Sequence, residues 1–176
     1  MSTLKVSTIS PLGTDATKTI TIGSAGDTAA GVFTNTPSFF AKLSSSQSIS
    51  SGSFTKITFD TEEWDTGGGF DTSNNRFVVP ANQAGKYVIT AGIYIDGLDD
   101  GEYDELFIYK NGSSINWGRQ NSNSPRTDAH GAFTTTATLN LAVSDYVEIY
   151  VYQNEGGARN ADANYTFMSG HRLIGA

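Results

Sequence analysis

The chain of 176 residues carries 38% hydrophobic residues, only 16% charged residues and 19 glycines, a balance that excludes a disordered polymer and suits one core of strands and turns. Its net charge of -7, with 11 Lys and Arg in all, leaves no basic footprint for phosphates and argues against nucleic acid as a partner. With no cysteine, disulfides, thiolate metal sites and thiol nucleophiles are excluded, and no apolar run approaches the roughly 20 residues of a membrane-spanning helix.

Residues 1–36 differ in texture from the rest. Small alternating patches at Leu4, Val6 and Ile9, then at Ile20 and Ile22, are separated by Pro11-Leu12-Gly13 and closed at Gly23–Gly26. They read as two short strands with too little apolar surface to fold alone, so this segment either docks on a partner or stays mobile. It is taken as an attachment arm. The first ten residues lack the continuous apolar stretch of a signal peptide, so secretion by that route is not expected.

Residues 37–176 read as one β-domain. Gly67-Gly68-Gly69 is a turn, Ser73-Asn74-Asn75 is turn chemistry, and Phe77-Val78-Val79 is a short strand halted by Pro80. Further strand signals follow one another at Phe39–Leu43, Phe54–Phe59, Arg76–Val79, Tyr87–Ile95, Glu105–Lys110 and Ser114–Trp117, then at Phe133–Leu141, Tyr146–Tyr152 and Tyr165–Ile174. No helical period is sustained. An antiparallel β-sandwich of about eight to ten strands is expected.

Two strands carry an interaction signal. Over Tyr146–Tyr152 the alternation sends Val147, Ile149 and Val151 to the core and Tyr146, Glu148, Tyr150 and Tyr152 to the other face. Over Tyr87–Ile95 it sends Ile89, Ile93 and Ile95 inward and leaves Val88, Thr90 and Tyr94 outside. Rings of this kind on an outer face suit an oligomer interface, or else they stabilise cross-strand pairs. The seam is assigned to Tyr94, Tyr146, Tyr150, Tyr152 and Phe167.

Phe70-Asp71, Phe77-Val78-Val79-Pro80 and Gly85-Lys86-Tyr87 resemble the middle of the C1q/TNF-like globular domain family. Further matches, in order, are Phe39-Ala41-Lys42-Leu43, Thr58-Phe59-Asp60, Lys110-Asn111-Gly112, Leu139-Leu141 with Asp145-Tyr146-Val147, and Phe167-Ser169-Gly170-Leu173. The resemblance covers about residues 38–174 and implies a ten-strand jelly roll assembled as a homotrimer. Collagen-like repeats are missing, and the family's secreted animal role is not supported. The leader Ser2–Ser10 with Thr19–Gly23 instead resembles N-terminal segments of tailed-phage structural proteins.

Three candidate sites remain. The run Asp96–Glu105 holds six carboxylates, which suggests either hard oxygen ligands for calcium at Asp99, Asp100, Glu102 and Asp104, or a solvated acidic loop that guards a sheet edge. Trp117, Arg119 and Arg126 lie in what reads as a long polar loop suited to a glycan, the alternative being that Trp117 packs into the core. His130 and His171 stand in no nucleophile or metal-pair motif, His171 reads as packed or interfacial, and no enzyme activity is expected. These signs lead to a non-enzymatic phage virion component, a homotrimeric head-decoration (cement) protein bound to the capsid through residues 1–36. The alternatives are a receptor- or glycan-binding tail-fibre tip and a free lectin-like module.

Overall fold

The computed structural model describes residues 36–98, 101–123 and 129–173. The arm residues Leu4, Val6, Ile9, Ile20 and Ile22 therefore lie outside the described residues, as do Asp99, Asp100 and Arg126. Within the described residues the chain is all-β, with thirteen strands: β1 Ser38–Lys42, β2 Gln47–Ile49, β3 Thr55–Lys56, β4 Thr61–Asp65, β5 Phe70–Asp71, β6 Arg76–Val78, β7 Gly85–Leu98, β8 Tyr103–Lys110, β9 Ser113–Asn123, β10 Ala129–Leu141, β11 Tyr146–Gln153, β12 Arg159–Ala161 and β13 Phe167–Arg172. That exceeds the eight to ten expected, because β2, β3, β5 and β12 span only two or three residues each and give no readable alternation.

Every pairing is antiparallel. One sheet runs β10-β7-β13-β1-β4, with β12 and then β2 continuing beside the far end of β7, where Ala161 faces Ile95. The other runs β5-β6-β11-β8-β9, with β3 also paired to β11. The sheets enclose one core, to which β7 contributes Tyr87, Ile89, Ala91, Ile93 and Ile95, and β11 contributes Val147, Ile149 and Val151. The period of two in both strands is thus the period of burial.

The glycine-rich stretch has a packing reason. Asp65 accepts hydrogen bonds from the backbone N–H groups of Gly67 (3.1 Å) and Phe70 (2.8 Å), closing the turn that delivers Phe70 to the core. A Cβ on Gly69 would stand 2.6 Å from the Phe77 ring and 2.8 Å from the Val78 carbonyl, so no larger residue fits there. Phe39 then stacks on Phe77 at 4.5 Å and meets Phe70 at 5.4 Å, while Tyr87 lies 5.5 Å from Phe77. These four rings tie the first sheet to the second. The buried Tyr87 hydroxyl donates to the Gln83 carbonyl at 2.5 Å, which satisfies its polar tip.

The turn joining β8 and β9 is fastened in the same region. Asn111 takes φ 51° and Gly112 φ 76°, the left-handed pair of a tight hairpin. The Asn111 amide donates to Asp145 and its carbonyl accepts from the N–H of Tyr146, at 2.8 and 2.9 Å. Lys110 Nζ reaches Asp145 at 2.8 Å, and these donors hold the Asp145 carboxyl down at about 2.

Truncating the ring that bridges the sheets tests this account. Phe39→Ala is expected to lower the stability by about 3–5 kcal/mol, the usual cost of a deleted buried ring. Urea unfolding followed by tyrosine and tryptophan fluorescence measures it; a loss below about 1 kcal/mol would show that the four-ring contact is not a principal tie.

Candidate interaction surfaces

A two-layer sandwich has two outer faces, and the structure divides the five predicted seam residues between them. Tyr94 on β7 and Phe167 on β13 lie on the outside of the first sheet, whereas Tyr146, Tyr150 and Tyr152 lie on the outside of the second. They do not form one patch. Strand periodicity reveals which side chains leave the core but not which sheet they leave it from.

Across the middle of the first sheet the outer positions are Val88, Thr90, Gly92 and Tyr94 on β7, Ala132, Thr134, Thr136 and Thr138 on β10, and Phe167 and Ser169 on β13. None of these carries a charge; Lys86 and Asp96 on β7 and His171 on β13 follow toward the strand ends. Thr90 and Thr136 share a hydroxyl hydrogen bond of 3.0 Å across the β7–β10 ladder. Beside this flat strip runs a row of rings: Trp64 meets Phe40 at 5.2 Å, and Phe40 stacks on Phe167 at 5.3 Å. The Phe167 ring lies across Gly92, whose added Cβ would be only 2.4 Å from it. Tyr94 packs with Tyr165 at 5.1 Å and with His130 at 5.4 Å. Between these groups is an open hollow of about 260 Å³, floored by Gly92 and walled by Tyr94, Thr134, Tyr165 and Phe167.

The second sheet is built differently. Its outer face carries a band of rings in which Tyr103 meets Tyr152 (5.7 Å), Tyr152 meets Phe54 (5.1 Å), and Phe54 meets Phe107 (5.2 Å). The band continues through Tyr109 to Tyr150. Burial pushes the Tyr109 and Tyr150 hydroxyls up, so both remain neutral donors at physiological pH. Charges are interleaved with these rings and are paired: Arg119 with Glu105, Lys56 with Glu148, and Arg76 with Asp71. Arg76 also lies 4.5 Å over the Tyr146 ring.

Trp117 and Arg119 correct the loop expectation. Both lie within β9, an edge strand that runs through Asn123 instead of stopping at Trp117. Its polar residues do not signal a loop, because among the described residues the strand pairs only with β8 and leaves its side chains largely in water. Trp117 is 69% exposed, so it does not pack into the core either. The β8–β9 register is irregular between Ser114 and Arg119, with Ile115 and Gly118 both turned to the core; Arg119 faces outward opposite Phe107, and Trp117, next to the inward Gly118, projects away from the core into water. Phe107 and Tyr109 are missing from the predicted seam, although their spacing of two on β8 is a signal that puts both rings on one face. Nothing in the sequence placed Phe54 or Trp64 beside them or beside Phe40.

The acidic run also departs from expectation. Asp96 is on β7, Glu102 is half-buried, and Asp104 and Glu105 are buried on β8 instead of forming a solvated loop. Asp104 faces inward with Leu106, opposite the buried Gln153. The Gln153 amide donates to the carbonyls of Ile49 and Gly157, both at 2.9 Å, and its oxygen accepts from the Glu155 N–H at 2.7 Å. Neither Asp104 oxygen has a hydrogen-bond partner among the described residues. Burial, then the nearby Glu155, raise the Asp104 carboxyl to about 7, with Arg159 pulling the other way. Among the described residues no group of three His, Cys, Asp or Glu is arranged to hold a metal ion. His171, the last residue but one of β13, is half-buried, and His130 Nδ1 lies 3.4 Å from Asp96.

Comparison with known proteins adds to this geometry. No protein-family model matches the chain. A stretch of 116 residues, 63% of the chain, is 34% identical to the phage-like element PBSX protein XkdV of Bacillus subtilis (strain 168), and 106 residues are 33% identical to the uncharacterized protein YqcC of the same strain. The chain spans 17% of the first relative's length and 28% of the second's. Among solved structures it is similar to the globular domain of zebrafish complement 1qA (TM-score 0.56, 13% identity, 78% of this chain and 97% of that one). It is also similar to the Eiger TNF of S. frugiperda (0.57, 15%, 79% and 92%) and to murine APRIL (0.57, 13%, 77% and 98%). The fold is thus a C1q/TNF-like jelly roll.

The buried carboxylate gives a pH signature. Between about pH 4 and pH 7 the folded chain keeps a proton on Asp104 that the unfolded chain releases, so stability falls as pH rises through that window and levels off above it. The span corresponds to on the order of 2–4 kcal/mol. Asp60, Asp71 and Asp145 are shifted downward by their hydrogen bonds and titrate below this window. Thermal melts of wild type and Asp104→Asn from pH 4.5 to 8 are expected to show the variant gaining relative stability toward pH 8. Parallel curves for the two proteins would refute the assignment.

Proposed function

We propose that this chain is a non-enzymatic structural module of a phage particle that works as a homotrimer and is held on the particle through residues 1–36. The single observation that carries the reading is the 34% identity over 116 residues to a protein of a phage-like element. That this stretch is 17% of the relative's length favours a module borne on longer virion chains. A tail-associated position, with the domain displayed at the end of a longer assembly, therefore fits better than head decoration. Decoration remains the reading if the domain coats the shell.

The seam of the trimer is assigned to the outer face of the first sheet. A closed three-fold ring joins two different surfaces of each copy, so one protomer's flat face meets another part of its neighbour. The centre of such a contact excludes charge and favours rings, and the Thr90–Thr136 strip with Phe40, Phe167 and Tyr94 has that character. The second sheet, crossed by ion pairs, does not. Tyr150 is accordingly removed from the seam.

Two measurements test this reading. Light scattering of the purified chain is expected to give a trimer mass that Thr136→Arg reduces to monomer, since a guanidinium would be desolvated in the seam, while Tyr150→Glu leaves it unchanged. The reverse pattern would move the seam to the second sheet. Quantitative mass spectrometry of purified particles is expected to find few copies per particle; copies in the hundreds would establish decoration, and absence from particles would overturn the virion assignment.

A further inference from the structure

We infer that the outer face of the second sheet is a binding platform for a neutral polysaccharide, an inference that rests on the reading of the chain as a particle-borne module. The most exposed rings on this face are Trp117 at 69% and Phe54 at 54%. Trp64 and Tyr165 are exposed as well, but they sit in the ring contacts beside the first sheet, whereas Phe54 and Trp117 stand where ion-paired polar groups surround them. A pyranose ring has a C–H face and a rim of hydroxyls. The C–H bonds, polarised by neighbouring oxygens, seek the electron-rich face of an aromatic ring, and the hydroxyls seek planar donors and acceptors.

Both kinds of group are present and held in place. The Arg119 guanidinium lies 5.4 Å over the Phe107 ring and is bonded to the Glu105 carboxylate. Asn121 Nδ2 donates to the same Glu105 oxygen at 3.1 Å. These contacts fix the side chains before any ligand arrives, so little rotamer freedom is lost on binding. From β11 across β8 to β9 the platform spans two strand separations, or about 10 Å, close to the length of a disaccharide.

The charges select against other occupants. Arg119, Lys56 and Arg76 each already face a carboxylate, and the chain as a whole carries -7, so an anionic polymer finds no spare cation among the described residues of this face. A second copy of the chain, or any protein requiring a dry centre, would have to desolvate the Glu105–Arg119–Asn121 and Lys56–Glu148 groups together. The uncharged strip around Thr90 and Thr136 in the middle of the first sheet offers a less costly contact. A neutral, hydroxyl-rich chain keeps the polar groups bonded while covering the rings.

Native affinity electrophoresis of the full chain in gels cast with dextran, mannan or galactomannan, and in parallel with alginate, tests the inference. At least one neutral polymer is expected to retard the wild type, and alginate is not. Trp117→Ala and Phe54→Ala are each expected to weaken the retardation roughly tenfold, the loss of one stacked ring. Val143→Ala, at the exposed β10–β11 turn, is expected to leave it unchanged. Failure of every neutral polymer, retardation by alginate, or ring variants that run like wild type would overturn the inference. Light scattering on the same samples separates it from the assembly reading. If Trp117→Ala dissociates the trimer, this face belongs to a second copy and the glycan inference falls. If the wild type is monomeric yet retarded through Trp117 and Phe54, the assembly reading falls and the platform stands.

Discussion

The contact among Phe39, Phe70, Phe77 and Tyr87 is the constraint on which the rest of this sandwich depends. Two of its rings come from the first sheet and two from the second, so it fixes how the layers meet. It also dictates the backbone around it. Gly69 and Gly170 must be glycine because the Phe77 and Phe39 rings occupy the space a Cβ would need. The Asp65 turn and the Asn111–Asp145 clasp then close the chain around that end. The opposite end is made of Asp104, Gln153, Glu155 and Arg159, where hydrogen bonds and charge take the place of stacked rings. The sandwich is therefore polarised along its strands, apolar and tightly fastened at one end, polar at the other.

Across the strands a second asymmetry appears. Both sheets bury one face with the same period of two, yet their outer faces follow different chemistry. The first presents threonines and small groups with a row of rings at its side and no charge in its middle. The second alternates rings with ion pairs. Desolvation decides what each can meet. Hydroxyls of threonine pair with one another at small cost when water leaves, whereas an ion pair stripped of water must recover several kcal/mol from its partner. A dry seam belongs on the first face and a wet contact on the second.

Much of this was legible in the sequence, for reasons that can be stated. The core residues of β7 and β11 followed from alternation alone, and the ordered motifs around Phe70, Phe77 and Tyr87 marked the fold because the four-ring contact needs those residues and those glycines. The tyrosines of β11 were correctly read as leaving the core. What alternation cannot convey is the sheet to which an outer residue belongs, so Tyr94 and Tyr150 were joined although a whole core separates their faces. Trp117–Asn123 read as a loop since an edge strand exposed to water has no apolar period to display. Asp104 read as solvated because its neighbours in sequence are acidic, while its burial is set by Gln153 and Val151 on a strand some fifty residues later.

The misread residues share a cause that bears on function. Edge strands and sandwich ends are where the fold's own energy constrains side chains least, so their identities answer to something other than packing. Trp117 is a case in point: a tryptophan on an edge strand, outside any ring contact among the described residues, contributes nothing to the core that a smaller polar residue would not. Arg119, two residues on, is by contrast held by Glu105 and Phe107 in a fixed pose. A rigid polar clamp beside a free ring is a poor arrangement for stability and a good one for a ligand that is apolar on one side and hydroxylated around its rim. The same edge strand that hid this pair from sequence patterning is what leaves it accessible.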